Sequence, residues 1–186
     1  LKRVICAGAP VSADNIEQFS ALLSEDAQIH TPYGATEAVP IISITSAEIL
    51  TETRHLSEKG SGICIGRPIN NTDIELIKIS DDPIDLWSDD LRVARGEIGE
   101  ITVKGALVSR EYYEDPAATA LAKIRQNGEI RHRMGDLGRM DDQGRIWFCG
   151  RKSHRVITAE GTLFTIPCEA IFNTHPAVFR SALVGV

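Results

Sequence analysis

No run of apolar residues in this 186-residue chain approaches the roughly 20 that a membrane-spanning helix needs, so an integral membrane protein is not expected. The chain also lacks a basic stripe, and its net charge is -6, so nucleic acid is not an expected partner. No signal peptide is visible, which favours a cytoplasmic protein, although Leu1 is not expected to be the natural start. Hydrophobic residues at 42% are enough to bury an ordinary core.

Several common sites are absent as well. None of the four cysteines forms a Cys-x-x-Cys pair and the five histidines show no His-Glu-x-x-His spacing, so buried reduced thiols are expected rather than disulfides or zinc ligands. There is no Walker phosphate loop, and the glycines of residues 60–66 do not fit a dinucleotide fingerprint. Asn70-Asn71-Thr72 fits a glycosylation sequon, but without a secretory context it is predicted to be a turn.

The pattern of apolar residues predicts an α/β chain. Lys2 to Ala7 is read as a buried strand, and Ser12 as the cap of a helix whose apolar face includes Ile16 and Phe19. A second strand over Gln28 to Thr31 completes the end of a parallel α/β layer. Ligands gather at the carboxyl ends of the strands in such a layer. A further strand and a helix capped by Ser46 and closed by Gly60 follow.

From Gly60 the chain becomes strand-rich: apolar and polar residues alternate over 63–65 and 73–79, and a turn at 96–99 precedes a predicted strand over 100–104. Pro116, after Asp115, is predicted to open a helix to about Ala122. Residues 132–150 are predicted to form a hairpin whose turn is 141–144. The remainder is read as a strand after Ser153, a helix over 167–174 and a strand from Ser181.

Residues 31–37 (TPYGATE) hold types of side chain that suit a nucleotide with a metal. Tyr33 offers a ring, Gly34 room for close approach, Thr36 a hydroxyl for a phosphate, and Glu37 an anion for Mg²⁺. For these residues alone, a strand-to-loop turn with an exposed tyrosine is the favoured alternative.

Three other stretches have both a functional and a structural interpretation. Gly8-Ala9-Pro10 follows a strand and could let a flat ring lie on the backbone, or it could simply start a helix. Asp136, between two glycines, could accept hydrogen bonds from a ribose diol or cap a turn. Arg151 follows the predicted hairpin and could reach phosphate or ribose oxygens, or belong to a solvated linker.

Taken in order, these pieces resemble the adenylate-forming superfamily of acyl-CoA synthetases, peptide-synthetase adenylation domains and luciferases. The resemblance covers nearly the whole chain and is carried by residues 7–10 (AGAP), 33–37 (YGATE), 96–100 (GEIGE), 135–137 (GDL) and 150–151 (GR). It implies three parts: residues 1–150 as the end of the large AMP-binding domain (1–59 an α/β layer, 60–150 a β-rich subdomain), 151–153 as a hinge, and 154–186 as the truncated start of a small α+β C-terminal domain.

The same resemblance implies roles for single residues. Gly8, Ala9 and Pro10 would line the adenine pocket, and Tyr33 would stack on the ring beside Gly34. Thr36 would touch the phosphate and Glu37 would hold Mg²⁺, so these two are the candidate catalytic residues. Asp136 and Arg151 would bind the ribose, and Ser153 would be the hinge. The implied cofactors are ATP or AMP with Mg²⁺.

Residues 31–38, 132–136 and 147–156 are most similar to olefin-biosynthesis β-lactone synthetases, enzymes often described as fatty-acid CoA ligases. That similarity implies activation of a long-chain β-hydroxy acid as acyl-AMP, then closure of a β-lactone, alongside other enzymes of a hydrocarbon pathway. Departures from the superfamily pattern point the same way: Met134 replaces a threonine, Ser153 an aspartate or lysine, Ile157 a lysine, and Glu160 the glycine of the thioester loop.

The phosphate loop of the superfamily would lie before Leu1 and its catalytic lysine beyond Val186, so the fragment alone is expected to be inactive. Two alternatives to the β-lactone synthetase remain. One is a long-chain acyl-CoA or acyl-AMP ligase, and the other is a non-catalytic nucleotide-binding module that kept the fold.

Overall fold

Nine strands join into one mixed sheet in the described part of the chain. The computed structural model describes residues 1–69 and 71–186, so Asn70 of the predicted turn lies outside it. The strands are β1 (Arg3–Ile5), β2 (Gln28–Ala35), β3 (Ala38–Thr45), β4 (Ile63–Pro68), β5 (Asp73–Ile77), β6 (Gly99–Lys104), β7 (Lys123–Gln126), β8 (Glu129–Met140) and β9 (Ile146–Arg151). Their order is β1-β2-β3-β4-β9-β8-β6-β5, and β7 also pairs with β8.

The pairing of β1 with β2 is parallel, and the other pairs of neighbouring strands in this sheet are antiparallel. The predicted fold class, the end of a parallel α/β layer followed by a strand-rich part, is therefore confirmed. A separate two-stranded hairpin consists of β10 (Val156–Thr158) and β11 (Gly161–Leu163). The helices are α1 (Ala13–Ser20), α2 (residues 46–61, with π-helical turns over Ile49–Thr53 and Ser57–Ser61), α3 (Pro116–Ala122) and α4 (Thr165–Asn173).

Helix α1 starts as predicted, because the Asn15 backbone amide donates to the Ser12 hydroxyl at 3.2 Å. Its apolar face is narrower than predicted: Ile16 is buried, but Phe19 is 42% exposed. The predicted first strand does form, but the prediction that it is buried is wrong. Strand β1 has only β2 beside it among the described residues and leaves Ile5 73% exposed.

Helix α2 is capped one residue earlier than predicted. The Thr45 hydroxyl accepts from the Glu48 amide at 3.3 Å, and the Glu48 carboxylate accepts from the Thr45 amide at 3.3 Å, a reciprocal capping box. The Ser46 hydroxyl instead accepts from the Ile29 amide of β2 at 3.1 Å, which ties the helix start to the sheet. Gly60 ends the helical path with φ +84, as predicted.

The β8–β9 hairpin and its turn are confirmed. The Asp141 carboxylate accepts from the Arg145 amide at 2.9 Å and from the Trp147 indole N–H at 2.9 Å, so one side chain fixes both the turn and the return strand. This register places Asp136 of β8 directly opposite Arg151 of β9. Two residues that sequence motifs single out separately are therefore neighbours in space.

The core has two parts, one under each region of the sheet. The first lies between α1, α2 and the β2–β3 pair and centres on Ile16, Ile29, Ile44, Ile49, Cys64 and Trp147. The second lies in the strand-rich part and includes Ile41, Ile42, Leu76, Ile101, Val103, Met134 and Ile146. Buried thiols at Cys64 and Cys149 agree with the prediction for these two cysteines.

The last part of the chain differs from its prediction at two points. A short 3₁₀ turn, Lys152–His154, comes before the β10–β11 hairpin, and residues 181–186 form no strand. Helix α4 does form, and it packs on the end of α2, where a Cβ added to Gly60 would lie 3.0 Å from Ile171 Cδ1. Among the described residues, no helix has the length and apolar character to cross a membrane.

Candidate functional site

The segment that holds Tyr33 and Gly34 is a strand, not the predicted turn. Strand β2 continues through Ala35 because β3 folds back and pairs with it, and only Thr36 and Glu37 form the connection. The register shifts between Tyr33 and Ala35, so Gly34 sits at an irregularity of the ladder. The predicted site residues therefore lie along the end of a strand and in the turn that follows it.

Gly34 has no room for a side chain, because a Cβ there would lie 2.5 Å from Ala38 O and 2.9 Å from Val39 Cα. We expect Gly34→Ala to lower the free energy of unfolding by about 1–3 kcal/mol, the usual cost of forcing extra atoms into a packed site. Gly185→Ala is the control, since Gly185 has no positive φ and its added Cβ would make only an ordinary contact, 3.6 Å from Val156 Cγ1. Equal losses in urea unfolding of the two variants would contradict the steric explanation.

A cleft of about 650 Å³ opens where β1 and β2 end, beside α4. Its size is in the range of small-molecule sites. The predicted residues that line it are Gly8, Ala9, Pro10, Tyr33, Gly34, Asp136 and Arg151. Gly8 has φ +106 and open space where a Cβ would be, so a flat group can approach its backbone. The Phe148 ring stands 6.3 Å from the Tyr33 ring, tilted by 44°.

A second cleft of about 510 Å³ adjoins the first. Thr36 and Glu37 line it, and Gly34, Asp136 and Arg151 line both clefts. The structure thus brings every predicted binding and catalytic residue to one of two connected clefts. Ser153 lies in the 3₁₀ turn after β9 and is not among the residues that line them, so its hinge role stays a prediction.

Asp136 is the polar centre of the first cleft. Its Oδ2 accepts from the Tyr33 hydroxyl at 2.5 Å, and its Oδ1 lies 3.0 Å from Arg151 Nη1. Burial raises the pKa of Asp136, and burial together with the Asp136 carboxylate raises the pKa of Tyr33 well above its usual value. The phenol therefore stays protonated and donates a hydrogen bond to Asp136 Oδ2.

Asp136 Oδ1 is buried yet accepts no aligned hydrogen bond from the described residues, since Arg151 is close to it only as an ion-pair partner. Buried carboxylate oxygens are normally hydrogen-bonded. The Arg151 side chain is 57% exposed, so it can move aside and let a ligand hydroxyl meet this requirement. The site therefore fits a diol such as that of a ribose.

Glu37 is the polar centre of the second cleft. Its Oε1 accepts from the Tyr112 hydroxyl at 2.6 Å. This hydrogen bond is the main cause that lowers the pKa of Glu37, while burial raises the pKa of Tyr112 to about 12. A partly exposed, ionised carboxylate facing a cleft is a donor that suits Mg²⁺.

His132 lies behind Glu37 in the second cleft, and its Nδ1 is 3.2 Å from Ala122 O. Burial, with the charge of Lys123 as a smaller cause, lowers the pKa of His132 to about 4, against the opposing effect of Glu37. The imidazole is therefore neutral at pH 7, with Nδ1–H donating to the carbonyl.

The low pKa of His132 predicts that the protein loses stability in acid. Below its unfolded pKa of about 6.5, His132 takes up a proton only on unfolding, so stability is lost as the pH falls from about 6.5 towards 4. Between pH 7 and pH 5 we expect the wild type to lose about 2 kcal/mol more than His132→Gln, from the shift and 1.36 kcal/mol per pKa unit. Urea unfolding at pH 7 and pH 5 measures the loss of stability for each protein. Equal losses in the wild type and His132→Gln would contradict the prediction.

An ion pair with almost no solvent contact supports the floor of the second cleft. Arg133 Nη2 donates to Glu100 Oε2 at 2.7 Å, and both side chains are 1% exposed. Lys152 Nζ lies 3.3 Å from the same carboxylate and donates to Ser80 O at 2.8 Å. Lys152, which lies inside the predicted hinge 151–153, is therefore anchored to the large sheet.

Sequence reasoning missed Tyr112, Lys123 and Glu100 as parts of the site. Tyr112 is 75 residues from its partner Glu37, and no local pattern marks it. Lys123 is a strand residue whose amine reaches Ser109 O at 2.8 Å. Glu100 was noted only as the end of a motif. Contacts of this kind follow from the topology of the sheet and have no sequence signal of their own.

The comparisons with known proteins bear on this arrangement of clefts. A family model for AMP-binding enzymes matches residues 1–113. The chain belongs to the AMP-binding enzyme family. A nucleotide-sized cleft carrying an unsatisfied carboxylate oxygen is consistent with that membership.

Relatives of this chain include enzymes of different kinds. The chain is 48% identical to an olefin beta-lactone synthetase of Stenotrophomonas maltophilia (strain K279a), covering 99% of this chain and 34% of that protein. It is 31% identical to a long-chain-fatty-acid–CoA ligase of Escherichia coli O6:H1, covering 83% of this chain and 24% of that protein. The chain thus spans about a third, or less, of the length of these relatives.

The fold is also shared with a solved structure. An o-succinylbenzoate coenzyme A synthetase from Bacillus subtilis, solved in complex with ATP and a magnesium ion, superposes with a TM-score of 0.72 at 22% identity. The match covers 100% of this chain and 34% of that one. At this identity the likeness establishes the fold alone.

Proposed function

We propose that the complete protein activates a long-chain β-hydroxy fatty acid with ATP and then closes it to a β-lactone. The observation that carries the proposal is the meeting of Tyr33, Asp136 and Arg151 at one cleft of nucleotide size in a chain 48% identical to an olefin beta-lactone synthetase. In the first step a carboxylate oxygen of the acid attacks the α-phosphorus of ATP, and pyrophosphate leaves. In the second, the β-hydroxyl oxygen attacks the acyl carbon and AMP leaves.

The first cleft would hold the nucleoside. Adenine would lie between the open backbone at Gly8 to Pro10 and the ring of Tyr33, which can stack on it. The ribose hydroxyls would donate to Asp136, whose Oδ1 accepts no other hydrogen bond from the described residues. Arg151, 57% exposed, would turn its free donors to the ribose or phosphate.

The second cleft would hold the phosphates. Thr36 is exposed in the turn after β2, so its hydroxyl can donate to a phosphate oxygen. Glu37 Oε2 accepts no hydrogen bond from another described residue and could bind Mg²⁺. When bound, Mg²⁺ would neutralise phosphate charge so that the carboxylate anion can approach. Nothing in this scheme needs a protein nucleophile.

The β10–β11 hairpin supports the lactone branch over thioester formation. Its two-residue turn carries Glu160 where the superfamily has glycine, and the glycine with positive φ, +142, is the next residue, Gly161. The Thr158 hydroxyl closes this turn by donating to Gly161 O at 2.9 Å. A loop in which the glycine is shifted by one residue suits a second step that needs no external thiol. The same proposal places the β10–β11 hairpin in a separate mobile domain that follows a hinge at 151–153.

The runner-up is a long-chain acyl-CoA ligase, favoured by the 31% identity to such an enzyme. Both readings predict ATP-dependent release of AMP and pyrophosphate, and they differ only in the group that attacks the acyl carbon. A nucleotide-binding module without activity would release neither.

Product analysis decides among these. The complete protein is incubated with ATP, Mg²⁺ and a long-chain β-hydroxy acid, with and without CoA, and products are followed by mass spectrometry. We expect a product lighter than the acid by one water, equal amounts with and without CoA, and one AMP per product. A CoA thioester as the main product would reject the lactone reading, and absence of AMP would reject adenylation.

A further inference from the structure

The carboxylate of Glu37 is held from one side by residues 109–123, a segment distant in sequence. The Ser109 amide donates to Glu37 O at 2.8 Å, which fixes the backbone at the end of the β2–β3 turn. The Tyr112 hydroxyl donates to Glu37 Oε1 at 2.6 Å, which fixes the side chain. Main chain and carboxylate are therefore set by the same loop.

Tyr112 is itself held independently of Glu37. Its backbone amide donates to the Thr119 hydroxyl of α3 at 3.0 Å. The Lys123 amine stands 5.5 Å from the centre of its ring and donates to Ser109 O and Oγ at 2.8 and 3.0 Å. The phenol thus has a fixed position from which it can aim the carboxylate, instead of following it.

One carboxylate oxygen remains for a ligand. Tyr112 occupies Oε1, whereas Oε2 accepts no hydrogen bond from another described residue, and Glu37 lines the second cleft. A carboxylate held by a hydrogen bond at one oxygen presents the other in a single orientation, which is how outer-shell groups set the geometry of metal ligands.

We propose that Tyr112 is the positioning residue for Glu37: its hydroxyl fixes Oε1 so that Oε2 faces the second cleft as a single-oxygen ligand for a divalent cation. This inference rests on the magnesium role given to Glu37 in the proposed function. It adds a residue that no motif marks and a reason why the loop 109–115 must be ordered for the metal to bind.

Tyr112→Phe removes the hydroxyl and keeps the ring, so the packing with Lys123 survives. Tyr113→Phe is the matched control, because Tyr113 is 88% exposed next to it. Binding of Mn²⁺ to the complete protein with a non-hydrolysable ATP analogue is measured from the free-ion signal in electron paramagnetic resonance. The Mg²⁺ concentration for half-maximal AMP release and kcat at saturating Mg²⁺ are measured in parallel.

We expect Tyr112→Phe to weaken Mn²⁺ binding by about 10-fold or more, within the range for loss of an outer-shell partner, while Tyr113→Phe binds as wild type. The half-maximal Mg²⁺ concentration should rise similarly, and kcat at saturating Mg²⁺ should change little. Unchanged Mn²⁺ affinity in Tyr112→Phe, with weakened binding in Glu37→Gln, would overturn the role of Tyr112 alone. Unchanged affinity in Glu37→Gln would overturn the metal assignment as well.

Discussion

Arg133→Met should destabilise the protein by about 3–5 kcal/mol, the usual cost of removing one partner of a buried ion pair. Arg133 gives two hydrogen bonds to Glu100, at 3.1 and 2.7 Å, and others to the carbonyls of Ser80, Asp82 and Leu121. Methionine fills similar volume but donates to none of them. It leaves a carboxylate that is 1% exposed with Lys152 as its remaining cation.

Two further variants separate charge burial from volume change. Arg125→Met removes an ion pair with Asp85 whose partners are 63% and 71% exposed, so it should cost no more than about 1 kcal/mol. Arg133→Met combined with Glu100→Leu should recover part of the loss, because no uncompensated carboxylate remains. Urea unfolding measures all three. A loss for Arg133→Met as small as that for Arg125→Met would contradict the account of the cleft floor.

Asp136→Ala in the complete protein should weaken AMP binding by about 3 kcal/mol, the upper end of the range for hydrogen bonds to a charged group. The variant removes the acceptor proposed for the ribose diol. It also leaves the Tyr33 hydroxyl, a buried donor at 2.5 Å from Asp136, without its partner. Isothermal titration calorimetry with AMP measures the loss.

Tyr33→Phe is the informative companion to Asp136→Ala. It keeps the ring that would stack on adenine and removes only the hydroxyl that Asp136 Oδ2 accepts from. We expect a smaller loss of AMP affinity, about 1 kcal/mol, because the Asp136 carboxylate remains as the proposed acceptor for the ribose. If neither variant changed the affinity, the nucleotide would have to bind outside the first cleft.

Much of the candidate site could be predicted because its residues lie in short stretches whose side-chain types suit a nucleotide. Gly8 follows β1 and Arg151 ends β9, whereas Asp136 lies inside β8 and is brought to the site by its partner strand. The turn at Asp141 set the hairpin register, and with it the pairing of Asp136 with Arg151. Local signals were enough wherever one residue fixed the geometry of its neighbours.

The errors share a different cause. The sequence predicts a turn after the strand Gln28 to Thr31, yet pairing with β3 keeps the chain extended through Ala35. Ile5 was placed in a buried strand, although β1 contacts only β2 among the described strands. The contact of Tyr112 with Glu37 depends on a loop that returns over the sheet. Each depends on tertiary packing, which overrides local preference.

A crystal structure of the complete protein soaked with AMP tests the central claim most directly. We expect adenine against Gly8 to Pro10 and the ring of Tyr33, with the ribose hydroxyls within hydrogen-bonding distance of Asp136 Oδ1. AMP bound away from the cleft of Tyr33 and Asp136, or a ribose that leaves Asp136 Oδ1 without a partner, would contradict it.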